Sequence, residues 1–175
     1  MRSACFAAAL LWCGIQPSRA VDGFAVTVGE NSPSDMWRVG VQWSWPQRWL
    51  QGKHSHLGGF WDLGVGQWRR EEAAGQRDRV GEISLTPVFR WQANDQRGAY
   101  LEGGIGVHLL SATSLGKKRY STAFQFGEHL GFGYRLGARG AFDLGYRYQH
   151  ISNADIKTPN SGADFHQLRL QYWFR

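Results

Sequence analysis

Three residue types that together can cleave an ester lie close in this chain: His150, Ser152 and, a loop later, Asp164. A serine hydroxyl is a poor nucleophile until a base takes its proton, and histidine titrates in the range that makes it that base. A carboxylate on the other ring nitrogen fixes the imidazole tautomer and stabilises the imidazolium that forms. Acyl transfer also needs donors for the developing oxyanion. Asn153, Asn160 and the backbone N–H groups of the intervening loop are the candidates for that role.

The stretch from Tyr146 to Asp164, YRYQHISNADIKTPNSGAD, must position them. Tyr146, Tyr148, His150 and Ser152 alternate with Arg147, Gln149 and Ile151, which is the pattern of a strand. Two residues along a strand, the Cα atoms of His150 and Ser152 are about 6.5–7 Å apart, a gap that imidazole and hydroxyl can bridge. A loop rich in Asn, Asp, Pro and Gly follows. A second strand begins at Asp164, with Asp164, His166, Leu168, Leu170, Tyr172 and Phe174 on one face. The three residues therefore sit on the apolar faces of two neighbouring strands. They also read as ordinary polar side chains at an interfacial strand end, and on the residues alone both readings stay open.

The chain has 175 residues, enough for one domain, and a formal charge of +6. Residues 1–20 read as a secretory signal: Arg2 is the basic start, Ala4 to Ile15 the apolar centre and Ser18-Arg19-Ala20 the cleavage site. Both cysteines, Cys5 and Cys13, fall in that leader, so residues 21–175 offer neither a disulfide framework nor a thiolate metal site. Beyond the leader no apolar run approaches the roughly 20 residues of a membrane helix. A mean hydropathy of −0.43 would suggest a soluble protein. That inference fails for a membrane barrel, where only alternate residues meet lipid.

Strand signals recur along the whole remainder. Phe24, Val26 and Val28 begin them, followed by Trp37 to Trp45, Leu57 to Val65, Ile83 to Trp91, Leu101 to Leu109, Phe124 to Tyr134 and Phe142 to Tyr148. With the strand from Asp164, this predicts eight strands and almost no helical periodicity. Arg69 to Arg79 and Ser111 to Ser121 read as charged loops. The second face of the strands mixes Arg38, Asp62, Glu82, Arg90, Glu102, Asp143, Arg147 and Arg169 with many glycines, which suits a narrow, internally paired lumen. Trp and Tyr near strand ends suit an aromatic girdle. The expectation is an all-β, eight-stranded antiparallel transmembrane β-barrel of the outer membrane, with a soluble lipocalin-like barrel as the alternative. Two residues strain it. Pro87 cannot donate to a ladder, and Glu128 falls on the apolar face unless a bulge near Gly127 turns it inward. With the N-terminus in the periplasm, His150, Ser152 and Asp164 all face lipid at the outer leaflet.

The segment HISNADIKTPNSGAD resembles the C-terminal signature of the lipid A 3-O-deacylase family, a His-x-Ser-Asn-Ala run followed by Pro-Asn, Gly and an acid. Looser similarity, including LEGGIGVHLL and FGEHLGFGY, extends over all eight strands. The resemblance implies an eight-stranded outer-membrane barrel that hydrolyses the ester-linked 3-hydroxyacyl chain at the 3-position of lipid A. It implies Ser152 as nucleophile, His150 as base, the acid at Asp164, where the family carries Glu, and Asn160 as an oxyanion contributor. Lipid A within lipopolysaccharide is then the substrate and outer-membrane lipid the surroundings, with a homodimer as a candidate assembly. No cofactor, metal or nucleic acid is expected. Lys117, Lys118 and Arg119 are candidates for contact with lipid A phosphates. A phospholipase or acyltransferase with the same triad, and a non-catalytic barrel, are the competing functions.

Overall fold

The computed structural model describes residues 20–71 and 77–174, so the expected leader, apart from Ala20, lies outside the described residues. The alternation seen in the sequence becomes long strands: β1 (Gly23–Asn31), β2 (Ser34–Ser44), β3 (Ser55–Glu71), β4 (Arg77–Ala93) and β5 (Gly98–Leu110). A small pair, β6 (Ser114–Leu115) and β7 (Lys118–Arg119), interrupts the next connection. Then come β8 (Phe124–Leu136), β9 (Phe142–Ser152) and β10 (Ala163–Trp173). Eight of these close into an antiparallel barrel in the order β1-β10-β9-β8-β5-β4-β3-β2. Closure is made by β1 against β10, in register from Gly23↔Trp173 to Glu30↔His166. A closed barrel leaves no unpaired sheet edge.

The barrel is inverted relative to a soluble protein. Leu130 on the outer face is 75 % exposed, whereas Arg90 and Glu102 in the lumen are 2 % and 6 % exposed. Inside, the charges pair: Arg90 binds Glu102 (2.7 Å) and Asp143 (2.6 Å), Arg169 binds Asp62 (3.0 Å), and Arg38 binds Glu82 (2.8 Å). Arg147 joins Glu102 to Asp62, and His108 contacts Glu82. A buried charge is tolerable only when paired and hydrogen-bonded, and here the pairs lock the strands together across a filled lumen. Phe60, Val88 and Trp173 close the terminal end, where β1 begins and β10 finishes. Met36, Trp68, Leu115, Tyr120, Ile151 and Phe165 close the other, loop-bearing end. Around the terminal end Trp45 packs on Trp49, Trp61 and Phe89, and Phe24 on Tyr172 and Phe174, forming an aromatic belt.

Three expectations are settled by the register. The segment Arg69 to Arg79 is not wholly loop: β3 continues to Glu71 and β4 resumes at Arg77. The ladder runs on through Arg69↔Arg79 and Arg70↔Asp78 to Glu71↔Arg77, and Arg69 also pairs with Asp35 of β2 at 2.6 Å, so strand pairing continues past the apolar band. Pro87 keeps its place in β4 opposite Trp61, but the ladder to β5 skips from Leu85↔Val107 to Val88↔Gly104, on the side where proline lacks a donor. No bulge turns Glu128 inward. The β8–β9 register runs unbroken through Gly127↔Ile151, Glu128↔His150 and His129↔Gln149, and Glu128 faces outward.

Candidate active site

The last turn of β9 is fixed from the inside. Ile151, between His150 and Ser152, is fully buried in the cluster that closes the loop-bearing end. Alternation then sends His150 and Ser152 outward. Asn153 turns inward again and organises the β9–β10 connection. Its Nδ2 donates to the carbonyls of Tyr120 (2.9 Å) and Lys157 (2.7 Å), and its backbone N–H donates to Asn160 Oδ1 (3.0 Å). Both amide hydrogens of Asn153 are thus committed to the loop's own structure. Because Asn160 Oδ1 must accept from Asn153, the orientation of the Asn160 amide is set. Its Nδ2 gives one hydrogen to Asp155 (3.0 Å) and keeps a second.

Register brings the acid to the base. Ala163↔Ile151 and Asp164↔His150 are paired across β9 and β10, and His150 Nδ1 lies 2.7 Å from Asp164 Oδ1. An ionised carboxylate can only accept, so Nδ1 carries the hydrogen and Nε2 is left as the basic nitrogen. The two side chains are 38 % and 39 % exposed, open to a substrate on the outer surface. Ser152 stands on the same face, two residues further along β9, and makes no hydrogen bond to His150 among the described residues. Catalytic hydrogen bonds commonly tighten only when substrate is bound. Gly162, with φ of 53°, packs its Cα against the histidine: a Cβ there would lie 3.0 Å from His150 Cε1 and 3.5 Å from Nε2.

Two surfaces flank this pair. On the β8 side an apolar groove of about 890 Å³ starts at His150 and Glu128 and runs toward the terminal end of the barrel. Tyr148, Leu130, Leu101, Phe89 and Trp91 line it, and Gly103 opens the trough by presenting no side chain on the outward parity. On the β10 side a polar cleft of about 560 Å³ opens beside Asp164. Lys118 approaches the same carboxylate there. Burial pushes its ammonium below the usual lysine range, with Asp164 opposing the shift and Arg70 adding to it.

Two further histidines are engaged elsewhere. His166 hydrogen-bonds Tyr146 through Nδ1 (2.6 Å) and stacks on its ring, two cross-strand pairs below Asp164. His56 is buried in the lumen against Asn94 and Gln92. Among the described residues no group of three His, Cys, Asp or Glu side chains could hold a metal ion. Sequence reasoning missed the closeness of Gly162 to His150, and it left Glu128 undecided. The outward parity of Glu128 was visible in the sequence, but its register against His150 was not.

The protein-family model for lipid A 3-O-deacylase (PagL) matches residues 35–173. The lipid A deacylase PagL of Bordetella bronchiseptica is 39 % identical over 147 residues, spanning 78 % of this chain and 76 % of that protein. The lipid A deacylase PagL of Pseudomonas aeruginosa is 33 % identical over 164 residues, 92 % of this chain and 91 % of that one. Among solved structures, the crystal structure of the outer-membrane enzyme PagL superposes with a TM-score of 0.75 at 28 % identity, covering 87 % of this chain and 99 % of that one. The Yersinia pestis outer-membrane protein Ail, at 13 % identity and a TM-score of 0.51, shares the barrel fold alone.

Proposed function

We propose that this chain, which belongs to the lipid A 3-O-deacylase family, removes the ester-linked 3-hydroxyacyl chain from the 3-position of lipid A at the outer leaflet of the outer membrane. As a member of that family the chain is an outer-membrane β-barrel hydrolase of lipid A. The observation that carries the finer reading is the 2.7 Å contact between His150 and Asp164 on the outward face, with Ser152 beside it and an apolar groove leading away.

The reaction follows from those positions. His150 Nε2 takes the proton of Ser152 Oγ as the oxygen attacks the ester carbonyl. Asp164 holds the ring by Nδ1 and stabilises the imidazolium. The remaining N–H of Asn160 is the side-chain donor best suited to the tetrahedral oxyanion, because both amide hydrogens of Asn153 are committed elsewhere. Collapse returns the proton from Nε2 to the departing sugar oxygen. Water, activated by the same nitrogen, then releases the acyl chain from Ser152. The apolar groove offers the chain a path along the barrel wall, so the substrate need not leave the membrane.

The test is the mass spectrum of lipid A from cells that produce the chain and from cells that produce Ser152→Ala. Wild type should yield lipid A short of one 3-hydroxyacyl group, and Ser152→Ala should leave it intact at equal barrel abundance. A folded Ser152→Ala barrel that trims lipid A at a comparable rate would overturn the assignment.

A further inference from the structure

The groove accounts for one side of the His150–Asp164 pair, and the cleft on the other side is unlike it in every respect. Four segments far apart in the chain build that cleft: the β1–β2 turn with Ser32 and Ser34, the end of β3 with Arg70, the β6–β7 hairpin with Lys117 and Lys118, and the start of β10 with Asp164. Among the described residues that line it, Asp164 is the one acid, and Asp164 is already engaged by His150. Asp35, the nearest acid on β2, is engaged by Arg69 at 2.6 Å. Arg70 lines the same cleft, with Nη1 3.5 Å from Ser34 Oγ.

The lysines are not on a loose loop. Leu115 and Tyr120, on either side of them, are 1 % and 2 % exposed and plug into the cluster that closes the barrel end. The turn between the two short strands is made by Gly116 at φ of 59°, and its N–H donates to Asp78 at 2.6 Å. Tyr120 N–H closes the hairpin on Thr113 at 2.9 Å. Holding cations this close together opposes their mutual repulsion and the desolvation of Lys118. The arrangement is preorganised for an anion, and oxygen-rich anions with several acceptors suit a site lined by two ammonium groups, a guanidinium and several hydroxyls, those of Ser32, Ser34 and Ser161 among them.

We infer that this cleft binds a phosphate carried on the sugar of the glycolipid, seating the substrate head beside Asp164 while its acyl chain enters the groove beyond His150. The inference rests on the deacylase reading for the identity of the sugar, but not for the anion itself. It gives the active site a direction: phosphate on the β10 side, ester at Ser152, acyl chain on the β8 side. Arg119, grouped with the two lysines by sequence, does not line the cleft.

Binding decides it separately from catalysis. The Ser152→Ala barrel, in a neutral detergent, is titrated with an acylated glucosamine that carries a 1-phosphate and with the same glycolipid lacking it. The expected result is a preference of about tenfold or more for the phosphorylated form, the scale of two or three partly exposed charge pairs. In Lys117→Gln/Lys118→Gln on the same background the ratio should fall toward one. Lys118→Arg should keep it, and unchanged heat-modifiable migration should confirm that each barrel is folded. Equal affinity for the two glycolipids, or a preference untouched by the double substitution, overturns the proposal. Inorganic phosphate binding as tightly as the phosphorylated glycolipid overturns the assignment to a lipid head. Hydrolysis of these glycolipids by the wild-type chain is a separate reading: its failure alongside an intact binding preference would overturn the deacylase mechanism and leave the anion site standing.

Discussion

Glu128 stands directly across the β8–β9 ladder from His150, on the outward face of the barrel, at the head of the apolar groove. Directly opposed residues on one face hold their Cβ atoms roughly 4.5–5.5 Å apart. A carboxylate facing lipid is a cost to folding, smaller near the interface than at the midplane and smaller for Asp and Glu than for Lys and Arg. Its position beside His150 gives it a use, because a negative charge there favours the imidazolium that forms as Ser152 gives up its proton. Glu128→Leu should therefore raise barrel stability by up to about 1 kcal/mol while lowering turnover. Urea unfolding in detergent and the rate of acyl release measure the two effects. A variant both more stable and fully active would remove Glu128 from the reaction.

The strands were legible because membrane barrels write a period of two into both faces, and all eight barrel strands fall where apolar alternation puts them. The pairing of His150 with Asp164 was legible as parity but not as contact, since that needs the register Ala163↔Ile151, which the folded β9–β10 loop sets. Arg69 to Arg79 misled because charge suggests loop, whereas the backbone ladder of β3 and β4 continues past the apolar band with charged side chains on it. Asn153 carried a catalytic expectation and turned out to be committed to loop carbonyls. Gly162 and the basic cleft depend on how loops from distant parts of the chain meet, and no local pattern encodes that.

The lumen should be where the barrel is most sensitive to loss of a single charge. Glu102 accepts from Arg90 through Nε (3.0 Å) and Nη2 (2.7 Å), and also from Arg147, at 6 % exposure. Glu102→Gln leaves two buried guanidinium groups undercompensated. Breaking such a pair from one side typically costs about 3–5 kcal/mol. The midpoint of urea unfolding should fall accordingly, while the activity per folded molecule should stay near wild type, because Glu102 faces the lumen and Ser152 does not. Loss of activity without loss of stability would contradict this division of roles.

Gly162 should be intolerant of even a methyl group. Its φ of 53° costs a residue with a Cβ about 1–2 kcal/mol. The added carbon would also lie 3.0 Å from His150 Cε1, so the ring must move or the loop must lift. Either response disturbs the alignment of Nε2 with Ser152. Gly162→Ala should reduce kcat by more than its loss of stability explains, with heat-modifiable migration retained. Wild-type kcat in that variant would show that the loop yields without moving the histidine.

Asp164 tests how the base is held. Its carboxylate can only accept, which keeps the hydrogen of His150 on Nδ1 and leaves Nε2 free to take the serine proton. Asp164→Asn changes that logic while preserving shape, since an amide can donate to Nδ1 and favour the tautomer with Nε2 already protonated. It also removes the charge that stabilises the imidazolium. In serine hydrolases the corresponding change costs up to about 10⁴-fold in kcat with the geometry intact. The expectation here is a loss of about 10²–10⁴-fold in acyl release, with folding unaffected because the side chain is 39 % exposed. Asp164→Glu should retain far more activity, because a carboxylate on this strand keeps both the acceptor and the charge, and the partly open site has room for one more methylene. Asp164→Asn keeps the size of the native side chain, so its loss of activity isolates charge and tautomer from packing. If Asp164→Asn were fully active, Glu128 would be the carboxylate serving His150, and the double variant Asp164→Asn/Glu128→Gln would then be the inactive one.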